Sequence, residues 1–301
     1  MGAPCALADT RFASLTFEND FFAGYDRHYT NGVQLAVLAD LANAPQWLRD
    51  ASADPQAVVA IGQRIYTPTN TDVAIPDPND RPYAGWLYVM GDLRTRAGST
   101  IDHLTVALGV VGPASGARET QNNVHSVLGE QSSLGWDTQV RNGPTFMAGY
   151  ERAWPKVAQG GLGSHQFDVA LRVGGMVGTP LTYADAGAVF RIGSHLPNDL
   201  PVTHISLGPP RDGFRGAERF GWYAWIGLDG RAVAYNTFIE GSTYEGGAHV
   251  KRVPFGGDLQ LGIAAAWKKA RMGFTYVERS REFDGQHGPD RYGQIAVSFP
   301  Y

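Results

Sequence analysis

The sequence predicts an all-β fold: an antiparallel transmembrane β-barrel of about twelve strands, with a short helix in one long loop. Three observations carry this. Segments that alternate large apolar with small or polar residues recur along the 301-residue chain. Period-two alternation marks strands with two unlike faces. The face opposite the large apolar groups carries Gly, Ala, Gln, Arg and Asp, which suits a polar lumen and a lipid-facing exterior; a soluble barrel puts its large apolar groups inside. No window approaches the roughly 18 apolar residues of a membrane helix, whereas barrel strands need only about 9–11.

The candidate strands run over 11–18, 30–39, 57–66, 84–94, 100–111, 143–153, 165–177, 183–193, 219–229, 258–268, 270–281 and 291–301. Their number is even, as single-chain bacterial barrels require. The clearest sets Phe167, Val169, Leu171 and Val173 against Gln166, Asp168, Ala170 and Arg172. Val33, Leu35 and Val37 oppose Gln34 and Ala36, and Leu104, Val106, Leu108 and Val110 oppose Thr105, Ala107 and Gly109. The segment 231–240 reads as a hairpin extension beyond the membrane. Trp86, Tyr88, Trp154, Trp222, Tyr223 and Trp225 lie near strand ends, where aromatic girdles or ordinary core aromatics both stand. The chain ends Ile295, Val297, Phe299, Tyr301 on alternate positions, a common close for an outer-membrane barrel; Pro300 then belongs at a strand end.

Three long inserts interrupt the meander. Residues 67–83 form a Pro/Asp/Asn loop. In 112–142, Ala117 to Gln131 has no Gly or Pro until Gly129 and predicts a polar helix of about three turns. Residues 194–218, with Pro197, Pro201, Pro209 and Pro210, read as irregular. Long barrel loops are normally extracellular and carry function.

The chain reads as one domain, 1–301, with a tail at 1–10. A net charge of -4 gives no reason to expect nucleic acid. Cys5 is the only cysteine, so no internal disulfide forms. Met1 to Asp9 shows no basic-then-apolar leader. Because the strand pattern needs an export route, the expectation is a mature chain whose leader has been removed; a cytosolic protein is the alternative.

Candidate chemistry gathers in the first half. Glu18-Asn19-Asp20 closes a strand; a carboxylate beside an amide carbonyl suits a hard cation such as calcium, and read alone it is first a polar strand end. Asp26-Arg27-His28-Tyr29-Thr30-Asn31-Gly32 opens the next strand, and normal hairpin pairing brings Thr30 near Asn19 and Asp20, where turn chemistry is the simpler reading. Gln121 and His125 share a helix face, with Val124, Val127 and Leu128 as the expected buried stripe. A histidine takes a proton from water near neutral pH and an amide donates to an oxyanion, though a surface histidine on a polar helix fits the spacing too. Arg81 before a strand suits a phosphate or a neighbouring carboxylate, and Trp136-Asp137 suits a turn cap or a lining group. No Gly-x-Ser-x-Gly elbow and no His-Glu-x-x-His pair occurs.

Together these motifs resemble the lipid A 3'-O-deacylase family of outer-membrane proteins. The match rests on Asn19-Asp20, Asp26-Arg27 with Tyr29-Thr30, Tyr66-Thr67-Pro68, Asp80-Arg81, Gly109 to Pro113, and Gln121-Asn122 leading to His125, over about residues 12–140. The resemblance implies a twelve-stranded, monomeric barrel in the outer membrane, its site facing the outer leaflet, that hydrolyses an acyl ester of lipid A (the lipopolysaccharide anchor) with calcium. It implies His125 as general base, Gln121 at the oxyanion, Asp20 and Glu130 as metal ligands, Asn19 and Thr30 ordering that shell, and Arg81 on the substrate phosphate. Two positions depart from the family pattern. Thr69-Asn70-Thr71-Asp72 stands where the family type carries a lysine, and Glu130 stands five residues beyond His125 rather than six. A non-catalytic barrel, either a small pore or a structural protein, is the reading from another class; an esterase for a different lipid and a soluble β-sandwich binding protein are the others.

Overall fold

The computed structural model describes residues 11–24, 27–41, 44–52, 55–129, 131–197, 219–267 and 269–300. Its strands are β1 (Arg11–Asn19), β2 (His28–Asp40), β3 (Gln56–Thr67), β4 (Ala84–Ala97), β5 (Thr100–Val111), β6 (Gly143–Leu162), β7 (His165–Gly178), β8 (Leu181–Ser194), β9 (Gly221–Asn236), β10 (Phe255–Trp267), β11 (Ala270–Arg279) and β12 (Asp290–Pro300). Each pairs antiparallel with its sequence neighbours, and β1 closes on β12. A closed barrel leaves no sheet edge. Short helices α1 (Gln46–Ala51), α2 (Ala117–Leu128) and α3 (Thr237–Glu240) lie in connections.

The burial pattern is inside out, as the alternation predicts. On β5, Leu104, Val106 and Leu108 are 55%, 43% and 60% exposed, while Thr105 and Ala107 between them are 2% and 1% exposed. Leu15, Leu35, Ile61 and Val89 continue this apolar exterior around the wall. The lumen holds charges in opposite pairs and clusters, since an unpaired ion there costs several kcal/mol. Arg172 reaches Glu151, Asp185 and Asp229; Arg191 pairs with Asp168 at 2.7 Å; Asp258 receives Arg231 and Arg279. Asp92 gathers Arg94 and His103 at 3.0 Å each.

The meander sorts the connections by parity. Those after odd-numbered strands share one rim: 20–27, 68–83, 112–142, 179–180, 237–254 and 280–289. Those after even-numbered strands share the other, where Gly98-Ser99 and Gly163-Ser164 make short turns. This corrects three expectations. The 194–218 insert joins β8 to β9 and so leaves from the rim opposite the other two long loops; its residues 198–218 lie outside the described set. The segment 231–240 is no separate hairpin: 231–236 continues β9 against β8, and 237–240 is α3. Trp86, Tyr88, Tyr223 and Trp225 point inward, 4% exposed or less, and form interior clusters rather than a girdle.

Candidate functional site

The first strands build the site through register. The pairings Asn19↔Asn31, Asn31↔Ile65 and Ile65↔Gly85 run as one row across β1 to β4. The row below it on the same face is Phe17, Val33, Gln63 and Leu87, and below that Leu15, Leu35, Ile61 and Val89. Leu15, Leu35, Ile61, Leu87 and Val89 are all exposed, so this is the outer face. On β1 and β2 the outer wall therefore turns from apolar to polar at Asn19 and Asn31.

Thr30 owes its place to an irregularity. The β2–β3 register shifts between Tyr29 and Asn31, so Thr30 is an extra residue in β2. Tyr29 then faces inward, where its hydroxyl donates to Glu18 Oε2 at 2.6 Å. Thr30 meets Thr67, with 2.7 Å between the hydroxyl oxygens. Beside it, Asn19 accepts the Phe21 N–H on Oδ1 at 2.8 Å and caps the short 3-10 helix Asp20–Ala23. Asp20, 3% exposed, accepts the Arg27 N–H on Oδ2 at 2.6 Å.

The 112–142 insertion lies over this outer face. Gln63 donates to the Ser115 carbonyl at 2.7 Å. Ile65 packs with Ala117, Tyr83 and Trp136 in one buried cluster. A Cβ on Gly85 would stand 2.2 Å from both Ala117 Cβ and Ser115 Oγ, so glycine is what lets α2 sit so close. Gln121 and His125 lie one turn apart, 3% and 8% exposed.

Their hydrogen bonds set their chemistry. Trp136 Nε1, a donor only, gives its hydrogen to Gln121 Oε1 at 2.9 Å. That fixes the amide, and Gln121 Nε2 is a buried donor with no hydrogen-bond partner among the described residues. His125 Nδ1 lies 2.8 Å from the Gln131 carbonyl. A carbonyl only accepts, so Nδ1 carries the proton and Nε2 is the basic nitrogen.

Several expected roles change. The valine stripe is not buried: Val124 is 41% and Val127 86% exposed, because the helix packs on its Ala117–Gln121–His125 face. The side chain of Leu128 and all of Glu130 lie outside the described set, so the second expected metal ligand is not placed. Arg81 is 1% exposed; it donates to the Phe238 carbonyl at 3.3 Å, pairs with Glu282 at 3.5 Å and stacks over Tyr66 at 4.5 Å. It is an interior strut rather than a surface phosphate ligand. Sequence reasoning left Trp136 as part of a turn cap or as a lining group; its indole N–H beside Gln121 is visible only once the loop is folded. Thr67 was in view within Tyr66-Thr67-Pro68, but nothing in the spacing pairs it with Thr30. Among the described residues no group of three or more His, Cys, Asp or Glu converges as a metal cage. Calcium also accepts hydroxyl, amide and backbone oxygens.

The rim beside the site is clamped. His28, at φ 66°, holds Asp290 Oδ1 at 2.5 Å on Nδ1, and Thr69 Oγ1 at 3.1 Å and Asp80 Oδ1 at 3.3 Å on Nε2. Burial alone would raise the Asp80 carboxyl, but His28 and the Thr69 N–H hold it down to about 2. Burial likewise opposes ionisation of Glu282, and Arg279, Arg81 and Arg231 outweigh it and lower its pKa.

Comparison with known proteins places this geometry. No curated protein matches the chain by sequence. Among solved structures, LpxR from Salmonella typhimurium is similar at TM-score 0.79 and 19% identity, covering 96% of this chain and 100% of that one. The beta domain of the Bordetella autotransporter Brka (TM-score 0.45, 10% identity, 98% and 100% covered) and the KdgM porin (0.40, 7%, 96% and 99%) score lower. The family described as outer membrane protein LpxR matches residues 2–301. This chain, a twelve-stranded barrel of the outer membrane, belongs to that family.

Proposed function

We propose that this protein is a lipid A deacylase that hydrolyses the 3'-linked acyl ester, its site open to the outer leaflet. The observation that carries the reading is a complementary pair of nitrogens on one face of α2: a buried donor on Gln121 with no partner among the described residues, and a basic Nε2 on His125. Both stand at the top of the outer wall, where an ester between sugar and acyl chain would lie. His125 Nε2 takes a proton from water as the water oxygen attacks the ester carbonyl. Gln121 Nε2–H donates to the oxyanion that forms, a kind of interaction that is often the largest electrostatic contribution. His125 then returns the proton to the departing sugar oxygen, and the fatty acid leaves.

Calcium fits the donor chemistry where β1 ends and β2 begins. Asp20 is a buried carboxylate, and Thr30 and Thr67 add hydroxyl oxygens. In this reading Asp20 holds the ion, Glu130 supplies a further carboxylate, and Asn19 and Thr30 order the turn and strand that shape the shell. Bound calcium supplies positive charge that polarises an ester carbonyl.

Mass spectrometry of lipid A from cells expressing the chain, with calcium supplied, tests the proposal. Loss of the 3' acyl group that disappears in His125→Ala and on chelation is expected. Unaltered lipid A in cells that hold the folded barrel refutes the activity, and an unchanged yield in His125→Ala refutes the base.

A further inference from the structure

We infer that α2 is an interfacial helix, with the flank formed by Val124 and Val127 immersed among the acyl chains of the outer leaflet. The inference deepens the proposed function, because it sets the depth at which Gln121 and His125 work. Three observations fix the helix's orientation.

The inner face of α2 is against the outer wall, at the Ile65 and Gly85 row. That row lies directly above the exposed band of Ile61, Leu87 and Val89. One flank of the helix is covered from above. Asn122 Oδ1 accepts the Ser133 N–H at 3.1 Å, and Arg118 pairs with Asp137 at 2.7 Å. The covering segment is itself tied to the β3–β4 loop: Leu134 N–H donates to the Thr71 carbonyl at 2.9 Å, and the Trp136 and Tyr83 rings pack at a tilt, centroids 4.8 Å apart. That loop rises from the rim, so the Arg118–Asn122 flank faces away from the membrane.

At 100° per residue, Val127 stands roughly 180° around the helix from Arg118 and roughly 140° from Asn122. It therefore faces down, toward the apolar band. Val124 lies beside it, one turn back. An 86% exposed valine at the top of a lipid-facing wall continues that wall, and the occupant that suits both is the same hydrocarbon. A helix with this pattern in water would have buried the valines and exposed the polar pair; this one does the reverse.

The test is spin-label accessibility in lipid vesicles that mimic the outer leaflet. A nitroxide is placed on Val127→Cys or, as the opposite flank, on Arg118→Cys, each in a Cys5→Ser background that removes the only native thiol. A label on Leu87→Cys marks the hydrocarbon band. The label at 127 is expected to be broadened by oxygen and protected from a water-soluble nickel chelate, as at 87, with the reverse at 118. Chelate access at 127 equal to that at 118 overturns the inference, and so does a protection that needs a second copy of the chain, seen as spin–spin coupling. This readout requires no hydrolysis, so it stands apart from the fate of the proposed activity. As a second arm, Val127→Asp is expected to cut hydrolysis of vesicle-embedded lipid A about tenfold, the cost of losing roughly one buried valine. It should leave hydrolysis of a water-soluble short-chain ester unchanged. Equal losses on both substrates overturn the inference.

Discussion

Gly85→Ala isolates how the barrel wall positions the helix. The added Cβ would meet Ala117 Cβ and Ser115 Oγ at 2.2 Å, about 1.2 Å short of the 3.4 Å where ordinary contact begins. Neither neighbour can turn aside. Ala117 has no rotatable side chain, and the Ser115 hydroxyl is buried and donates to the Gly112 carbonyl at 2.6 Å. The first turn of α2 must therefore move off the wall by roughly an ångström, at an overpacking cost of about 1–3 kcal/mol. The barrel's own strands need not move, since Gly85 is outward-facing and its ladder partner Ile65 keeps its place. A displacement near 1 Å of catalytic groups costs about 100-fold in rate. The expected result is a barrel that folds normally, judged by heat-modifiable migration on gels, with deacylation down about 100-fold. Wild-type activity in Gly85→Ala would refute the reasoning, because it would mean that seating of the helix does not position the site.

Three further outcomes are expected. Gln121→Ala, which removes that buried donor, should lower kcat about 100- to 1,000-fold with little change in KM; Trp136→Phe, which keeps the donor but frees the amide to rotate and thins the packing around it, should cost less. Arg81→Gln should lower the unfolding temperature of the barrel and leave KM for phosphorylated lipid A unchanged; a raised KM alone would restore the phosphate role. The Asp80 carboxyl has a folded pKa of about 2, below its ordinary 3.8, so its contribution is present above about pH 4 and lost as pH falls through 2. Hydrogen exchange over 68–83 should show wild-type protection fading across that window, while Asp80→Asn should be less protected at pH 7 and flat across it; identical profiles would exclude the clamp.

The wall was largely legible because a barrel writes its two environments into alternate residues. Lipid selects Leu104, Val106 and Leu108, the lumen accepts Thr105 and Ala107, and no other segment of the fold is needed to read the pattern. β9 was cut short for a local reason: Asp229, Gly230 and Arg231 look like a turn, yet Asp229 and Arg231 are luminal partners for Arg172 and Asp258. The six-residue helix α1 was missed, as such short helices lack a full period. The site was legible in its parts and not in its assembly. Hairpin logic placed Thr30 opposite the end of β1, but the bulge that turns it toward Thr67 leaves no trace in the spacing. On α2 the apolar residues were assigned inward because that rule assumes water outside. Arg81 carried the same ambiguity as any arginine before a strand, and only the loops packed over it decide in favour of Glu282 and Phe238.

Helix α2, with Gln121 and His125, sits on the exterior of the cylinder, so in the proposed reaction the lipid arrives sideways, by diffusion in a plane. Encounter then scales with the mole fraction of ligand among neighbouring lipids, and diluting the whole suspension leaves it untouched. Turnover should follow surface composition and saturate with it. A detergent that thins the substrate within a mixed micelle would slow the reaction while every bulk concentration of substrate and protein stayed the same.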